Sequence, residues 1–80
     1  MTFEEFRNHE TYKTCIDRIK NYKHGKVFTV PFYKIPTKGQ KNGITIILRD
    51  CMNDGIIESI SVSLDLTGNI TEETYRRTNL

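Results

Sequence analysis

Tyr12, Cys15, Ile16, Ile19 and Tyr22 recur at steps of three and four residues. That spacing gathers them on one face of a helix and leaves Lys13, Asp17, Arg18 and Lys20 elsewhere on its surface. Upstream, Thr2 and Glu5 have the spacing of a capping box, in which each side chain satisfies a backbone amide of the first turn, so a helix is expected to begin there. Phe3 and Phe6 fit the same stripe only loosely, and Asn8-His9 leave open whether this is one helix or two. Gly25, after the basic run around Lys23, is expected to end it. Val27, Phe28, Thr29 and Val30 then favour a short strand, which Pro31 interrupts because it brings no amide to a ladder. Proline suits the first turn of a helix, so residues 31–35 read as a short helix with Phe32 and Ile35 inward, stopped by Pro36. Residues 37–40 read as a turn.

The next stretch, residues 41–55, fits two periods. As a strand, Ile44, Ile46 and Leu48 would share one face and Thr45, Ile47 and Arg49 the other, after an Asn42-Gly43 hairpin signal. As a helix, Ile44, Ile47, Leu48 and Cys51 form a longer stripe, with Thr45, Arg49, Asp50 and Asn53 outside it, and Asn53-Asp54-Gly55 marks its end. The β-branched run counts against the helix by a few tenths of a kcal/mol per residue. The longer pattern decides for a helix over about 41–53. Beyond Gly55 the period changes to two. Ile56, Ile60, Val62 and Leu64 alternate with Ile57, Ser59, Ser61 and Ser63, as in a strand with one buried face, Glu58 being the odd member of the inward set. Residues 65–69 form a turn with Gly68-Asn69 at its tip, residues 70–77 return as a partner strand, and the last three residues are expected to fray.

The resulting order is helix, short strand, short helix, turn, helix and two strands, an α+β arrangement. It resembles the winged helix-turn-helix over nearly the whole chain. The most specific stretch is LRDCMNDGIIESISVSLDLTGNITEETYRR, residues 48–77, where a helix ends in an acidic residue and glycine and is followed by a strand, a loop and a return strand with an aromatic residue and arginine. The resemblance implies a single domain over 1–80, three helices with a C-terminal β-hairpin wing, a recognition helix at about 41–53 and a wing centred on residues 66–69. The wing tip departs from the pattern. It carries no Lys or Arg, and Asp65 precedes it.

Composition limits what such a domain does. Eighty residues hold one core, and at 36% hydrophobic and 28% charged, with no long apolar run and no basic leader, the chain is expected to be soluble and cytoplasmic, with no membrane partner. The net charge of +2 hides an asymmetry: residues 1–49 carry ten basic and four acidic side chains, residues 50–80 two basic and six acidic. One end is thereby suited to meet phosphate. Cys15 and Cys51 lie on apolar helical stripes without zinc-site spacing, and His9 and His24 add no partner motif, so both read as buried thiols and neither metal nor cofactor is expected. The glycosylation pattern Asn69-Ile70-Thr71 is treated as chance.

A helix in the major groove reads base edges with side chains near its N-terminus. Lys38, Gln40, Lys41, Asn42 and Thr45 lie on the turn and first helical turns, Arg49 one turn on, and Lys34 (with Lys26 and His24) is placed to contact phosphates. The carboxylates are scattered, no Ser or Cys has a His at a motif spacing, and Gly39 and Gly43 complete no phosphate loop, so no enzyme is expected. The leading expectation is a small regulator of phage or mobile-element type that binds double-stranded DNA, with a homodimer left open. The alternative belongs to another class: an inhibitor that binds a host enzyme, as some anti-CRISPR proteins do, presenting Asp65, Glu72 and Glu73 to a basic groove.

Overall fold

A computed structural model describes residues 2–80. It is an α+β fold in which three α-helices lie against one three-stranded antiparallel sheet. The helices are α1 (Phe3–Arg7), α2 (Glu10–Lys20) and α3 (Lys38–Asn53), and the strands β1 (Val27–Val30), β2 (Ile57–Leu64) and β3 (Ile70–Arg77), in sheet order β1-β3-β2. The three helices are not the three expected. Thr2 and Glu5 do close a capping box, but α1 stops after one turn and a half, and His9 starts α2 by accepting the Thr11 amide on Nδ1 at 3.1 Å. A second cap seven residues after the first nucleates a second axis, which settles the question left open at Asn8-His9. The short helix expected over 31–35 is a three-residue 3-10 turn, Phe32–Lys34. The helix α2 ends at Asn21, well before Gly25.

The segment 41–55 is helical, and it starts three residues earlier than expected. Thr37 accepts the Gln40 amide at 3.2 Å, so the residues read as a turn are the first turn of α3. Its C-terminus closes through two reversed hydrogen bonds, Gly55 N–H to the Met52 carbonyl (3.0 Å) and Ile56 N–H to the Cys51 carbonyl (2.9 Å). Gly55 has φ +74°, the left-handed conformation that this closure needs and that a side chain disfavours. The closure also folds Ile56 back onto Cys51, and both are buried.

Ile19, Ile47, Leu48, Cys51, Ile56, Ile57 and Tyr75 form the buried core. Ile16 and Cys15, expected inside, are only partly buried at its edge. Tyr75 is extended by a stacked Phe28 (centroids 5.6 Å), itself packed on Tyr22 at 5.1 Å. Burial pushes the Cys51 thiol up to about 11, which leaves it inert at neutral pH.

The alternation expected along β2 fails, for an identifiable reason. Ile57 pairs with Arg77, Glu58 with Arg76 and Ser59 with Tyr75, and then the register shifts so that Ser61 pairs with Thr74 and Val62 with Glu73. Paired residues share a face, so Ile57 points at the core and Glu58 away from it, bonded to Arg76 Nε at 2.7 Å. The extra residue, Ile60, is a β-bulge that exchanges the faces. It accounts for the odd Glu58, and it returns Val62 to the helix-facing side. No helix reaches that far along the hairpin. Ile60, Val62 and Leu64, expected buried, are 45%, 46% and 60% exposed.

Arg77 is the one buried charged residue among those described, at 6% exposure. Its Nη1 donates to the carbonyls of Ile56 (3.3 Å), Thr78 (2.9 Å) and Leu80 (3.0 Å), and Nη2 to Lys20 (3.2 Å) at the end of α2, while Nε has no partner. These bonds hold down the tail expected to fray, and the Thr78 amide adds a bond to the Ile56 carbonyl at 2.9 Å.

Two substitutions test this packing. Leu48→Ala, at 3% exposure, is expected to cost about 2–5 kcal/mol in urea melts, and a loss below about 1 kcal/mol would contradict its place in the core. Arg77→Lys keeps the charge but lacks the planar fork that reaches Lys20 and Ile56 together. It is expected to cost about 1–3 kcal/mol, whereas an unchanged melt would mean that the carbonyl cluster contributes nothing.

Candidate functional site

An α-helix advances 100° per residue, and on α3 the apolar residues Ile44, Ile47, Leu48 and Cys51 take the sheet side. Lys38, Lys41, Asn42, Thr45 and Arg49 fall within an arc of about 100° on the other side, and all five are exposed. They span about 16 Å along the axis, from the first helical residue to the last turn but one. The structure therefore brings five of the seven residues singled out on one surface. Thr45 Oγ1 donates to the Lys41 carbonyl at 2.8 Å, which leaves its lone pairs and methyl group facing outward.

The remaining two lie apart from that stripe. Gln40 turns toward the side of α3 that faces α1, and Lys34 sits on the 3-10 turn; both line an apolar groove of about 650 Å³ with Phe6, Cys15, Ile35 and Ile44. Lys34 Nζ lies 5.7 Å from the Tyr33 ring centroid. On the far side of the core, Lys26 Nζ stands 4.2 Å over Tyr22 beside His24, away from α3.

Among the described residues there are two ion pairs, Arg7–Asp50 and Arg76–Glu58, so Lys38, Lys41 and Arg49 have no carboxylate partner. Asp50, the acid next to Arg49, is already engaged. Arg7 Nε and Nη2 hold its two oxygens at 2.8 and 3.0 Å, and the Tyr12 hydroxyl donates to Oδ2 at 2.6 Å. The Arg7 fork holds the Asp50 carboxyl below its ordinary range, while burial, and then the hydrogen bond to Asp50, push the Tyr12 hydroxyl up to about 12. This cluster clamps α1 and α2 to α3. A second contact supports it: a Cβ at Gly43 would stand 3.2 Å from Phe6 Cζ, so the glycine lets the ring lie against the helix. Sequence reading left Asp50 outside the apolar stripe without a role, because nothing local marks a partner 43 residues away.

The three carboxylates of the alternative reading do not gather. Asp65 Oδ1 accepts from the Thr67 amide (2.9 Å), the Thr67 hydroxyl (2.7 Å) and the Asn69 amide (3.0 Å), so it builds the hairpin turn, and these bonds hold its carboxyl low. Glu72 and Glu73 are neighbours on a strand and point to opposite faces, Glu73 accepting from Ser59 Oγ at 3.1 Å.

The clamp gives stability a signature at both ends of the pH scale. A depressed carboxyl stabilises the fold above its unfolded value of 3.8 and ceases to do so as pH falls through the folded value. A raised phenol contributes fully below 10 and is lost as pH rises toward 12. Asp50→Asn is therefore expected to lower Tm at pH 7 and to flatten both limbs of the Tm–pH profile; limbs identical to those of the unaltered chain would remove the clamp from the account. No family model matches the chain, and neither a curated protein nor a solved structure shows significant similarity to it.

Proposed function

We propose that the protein is a small sequence-specific DNA-binding regulator of winged helix-turn-helix type, with α3 lying in the major groove of double-stranded DNA. The observation that carries this reading is the outer face of α3, where three cations and two hydrogen-bonding side chains stand in one stripe without a carboxylate among them. Lys38 and Lys41 also occupy the N-terminal turns, where the helix dipole disfavours cations. A purely structural surface would favour acids there, and a phosphate lying against the same turns reverses the preference. Asn42 and Thr45 supply donors and acceptors for base edges, and Arg49 has the fork that matches guanine.

The order of elements supports the same scaffold. A helix precedes β1, a short turn leads into α3, and α3 is followed by a hairpin whose second strand lies between the other two. The chain departs from the pattern in the second helix, reduced here to the 3-10 turn, and in the uncharged hairpin tip. Both departures favour α3 over the wing as the binding element in this reading. The inhibitor reading is less well supported, because Asp65 is spent on its own turn and Glu72 and Glu73 face opposite ways.

A gel-shift series on duplex DNA at low and physiological salt tests the proposal. Lys41→Ala and Arg49→Ala are each expected to weaken binding by about 1–3 kcal/mol at an unchanged Tm. Each lost phosphate contact lowers the slope of log K against log salt by about one. Absence of binding at every salt concentration, alongside stoichiometric capture of a host protein, would replace this function with the inhibitor reading.

A further inference from the structure

Behind the N-terminal half of α3 lies the apolar groove of about 650 Å³, within the range of about 300–1,000 Å³ in which pockets hold small organic ligands. Gly39, Gln40, Gly43, Ile44 and Ile47 line it, on the side of the helix opposite to Lys41, Thr45 and Arg49. Phe6 of α1, Cys15 of α2 and Ile35 after the 3-10 turn supply other walls. None of the groove's residues is among the large hydrophobics exposed on the surface, so its apolar area is recessed behind a polar rim. A small molecule reaches such a recess more readily than a protein face does.

Gly39 marks a place where the chain leaves room. Glycine is the least favourable ordinary residue in a helix, and at Gly39 neither a left-handed φ nor a crowding neighbour calls for it, because a Cβ there would meet nothing within 4 Å beyond its own helix. A larger side chain would take up space at the groove's edge. The rim then selects the charge of what enters. No Asp or Glu lines the groove; its polar groups are Lys34, Gln40, His9 and Thr11, and Lys34 has no carboxylate partner among the described residues. His9 adds a fixed donor. Its Nδ1 accepts the Thr11 amide at 3.1 Å, which requires that nitrogen to be unprotonated and leaves the ring hydrogen on Nε2. Lys34 and His9 both offer hydrogens, which suits a head that only accepts them, such as a carboxylate.

We propose that this groove binds a small amphipathic carboxylate, of which an unbranched medium-chain fatty acid is the simplest member, with its tail between Phe6, Cys15, Ile44 and Ile47 and its head at the rim beside Lys34. The apolar walls cover the tail, and the ammonium meets the carboxylate where water still reaches both, so neither charge is stranded. The proposal concerns the reverse side of α3 and is independent of what the outer stripe binds.

Cys15 reports occupancy directly. It is partly buried in the groove wall, whereas Cys51 is fully buried with its thiol pushed up to about 11, so iodoacetamide at about pH 8 alkylates Cys15 alone in the folded chain. Decanoate, kept well below the concentration at which it forms micelles, is expected to slow that reaction at least about fivefold and saturably, with half-effect at about 10–500 µM. Decyltrimethylammonium, with the same tail and the opposite charge, is expected to need at least about tenfold more. Lys34→Glu, at an exposed residue outside both ion pairs, is expected to weaken decanoate about tenfold at an unchanged Tm. Gly39→Leu is expected to abolish protection while Tm holds or rises, since the helix loses a glycine. Titration calorimetry with decanoate, which does not involve the thiol, is expected to give the same order of affinities. Absence of saturable protection up to about 5 mM decanoate, equal protection by the two oppositely charged ligands, or protection unaltered in either variant would each overturn the proposal. So would shielding of Cys15 in the ligand-free chain as its own concentration rises, which would make a second copy the occupant.

Discussion

The fold depends on the burial of one guanidinium. Arg77 ends β3, yet its side chain reaches the last carbonyl of α2, the carbonyl that opens β2 and two carbonyls of the tail. Its backbone extends the same junction, donating to the Lys26 carbonyl and accepting from Gly25, both at 2.8 Å. A charge withdrawn from water costs several kcal/mol, and the backbone oxygens of Lys20, Ile56, Thr78 and Leu80, the first of them at the negative end of a helix, are what offset it here. The ends of α2, β1, β2 and the chain are thereby fixed relative to each other around one planar group. Lysine has no comparable geometry, because a single ammonium cannot span the separation between Lys20 and Ile56.

The orientation of α3 follows from constraints at both ends. At its C-terminus the Gly55 closure presses Ile56 onto Cys51, and Arg77 holds the Ile56 carbonyl. Toward its N-terminal half Phe6 lies on Gly43, and farther along the Arg7 fork and the Tyr12 hydroxyl converge on Asp50. Three sides of the helix are thus committed to the sheet, to α1 and to α2. The fourth holds Lys38, Lys41, Asn42, Thr45 and Arg49. Asp50 is the acid nearest this stripe, and pairing with Arg7 turns its charge away from Arg49 and preserves the stripe as a cationic surface.

How far the sequence discloses this depends on the range of the forces involved. The α3 face was legible because helical periodicity is local: once Ile44, Ile47, Leu48 and Cys51 are assigned inward, the opposite residues follow by rotation. Thr2 and Glu5 were legible for the same reason. The cap at His9 was not, since an imidazole accepting an amide is a less common start than Ser, Thr, Asp or Asn. Thr37 is a common cap, but it was masked by Pro36 and Gly39, which read as a turn. The pairing of Arg7 with Asp50 and the carbonyl cluster around Arg77 join residues far apart in sequence, where no period links the partners. Along β2 the sequence carries a sign of the irregularity in Glu58. Glu58 on an otherwise apolar face is what a one-residue slip produces, and the bulge at Ile60 is that slip.

The shape of the molecule explains why so much of the hairpin lies bare. Its extents are 35 × 33 × 18 Å, and the short dimension accommodates a sheet with one layer of helices and nothing on the other face. That open face is polar, as it must be: Thr29 and Thr74 share a hydrogen bond of 3.0 Å, and Glu58 pairs with Arg76. An eight-residue strand is about 27 Å long, more than the helices above it cover, so the part beyond the bulge receives no helix. A charged tip would have solvated that overhang cheaply. The chain instead uses its one tip carboxylate, Asp65, to hold the turn from within, and it keeps Ile60, Val62 and Leu64 on the surface.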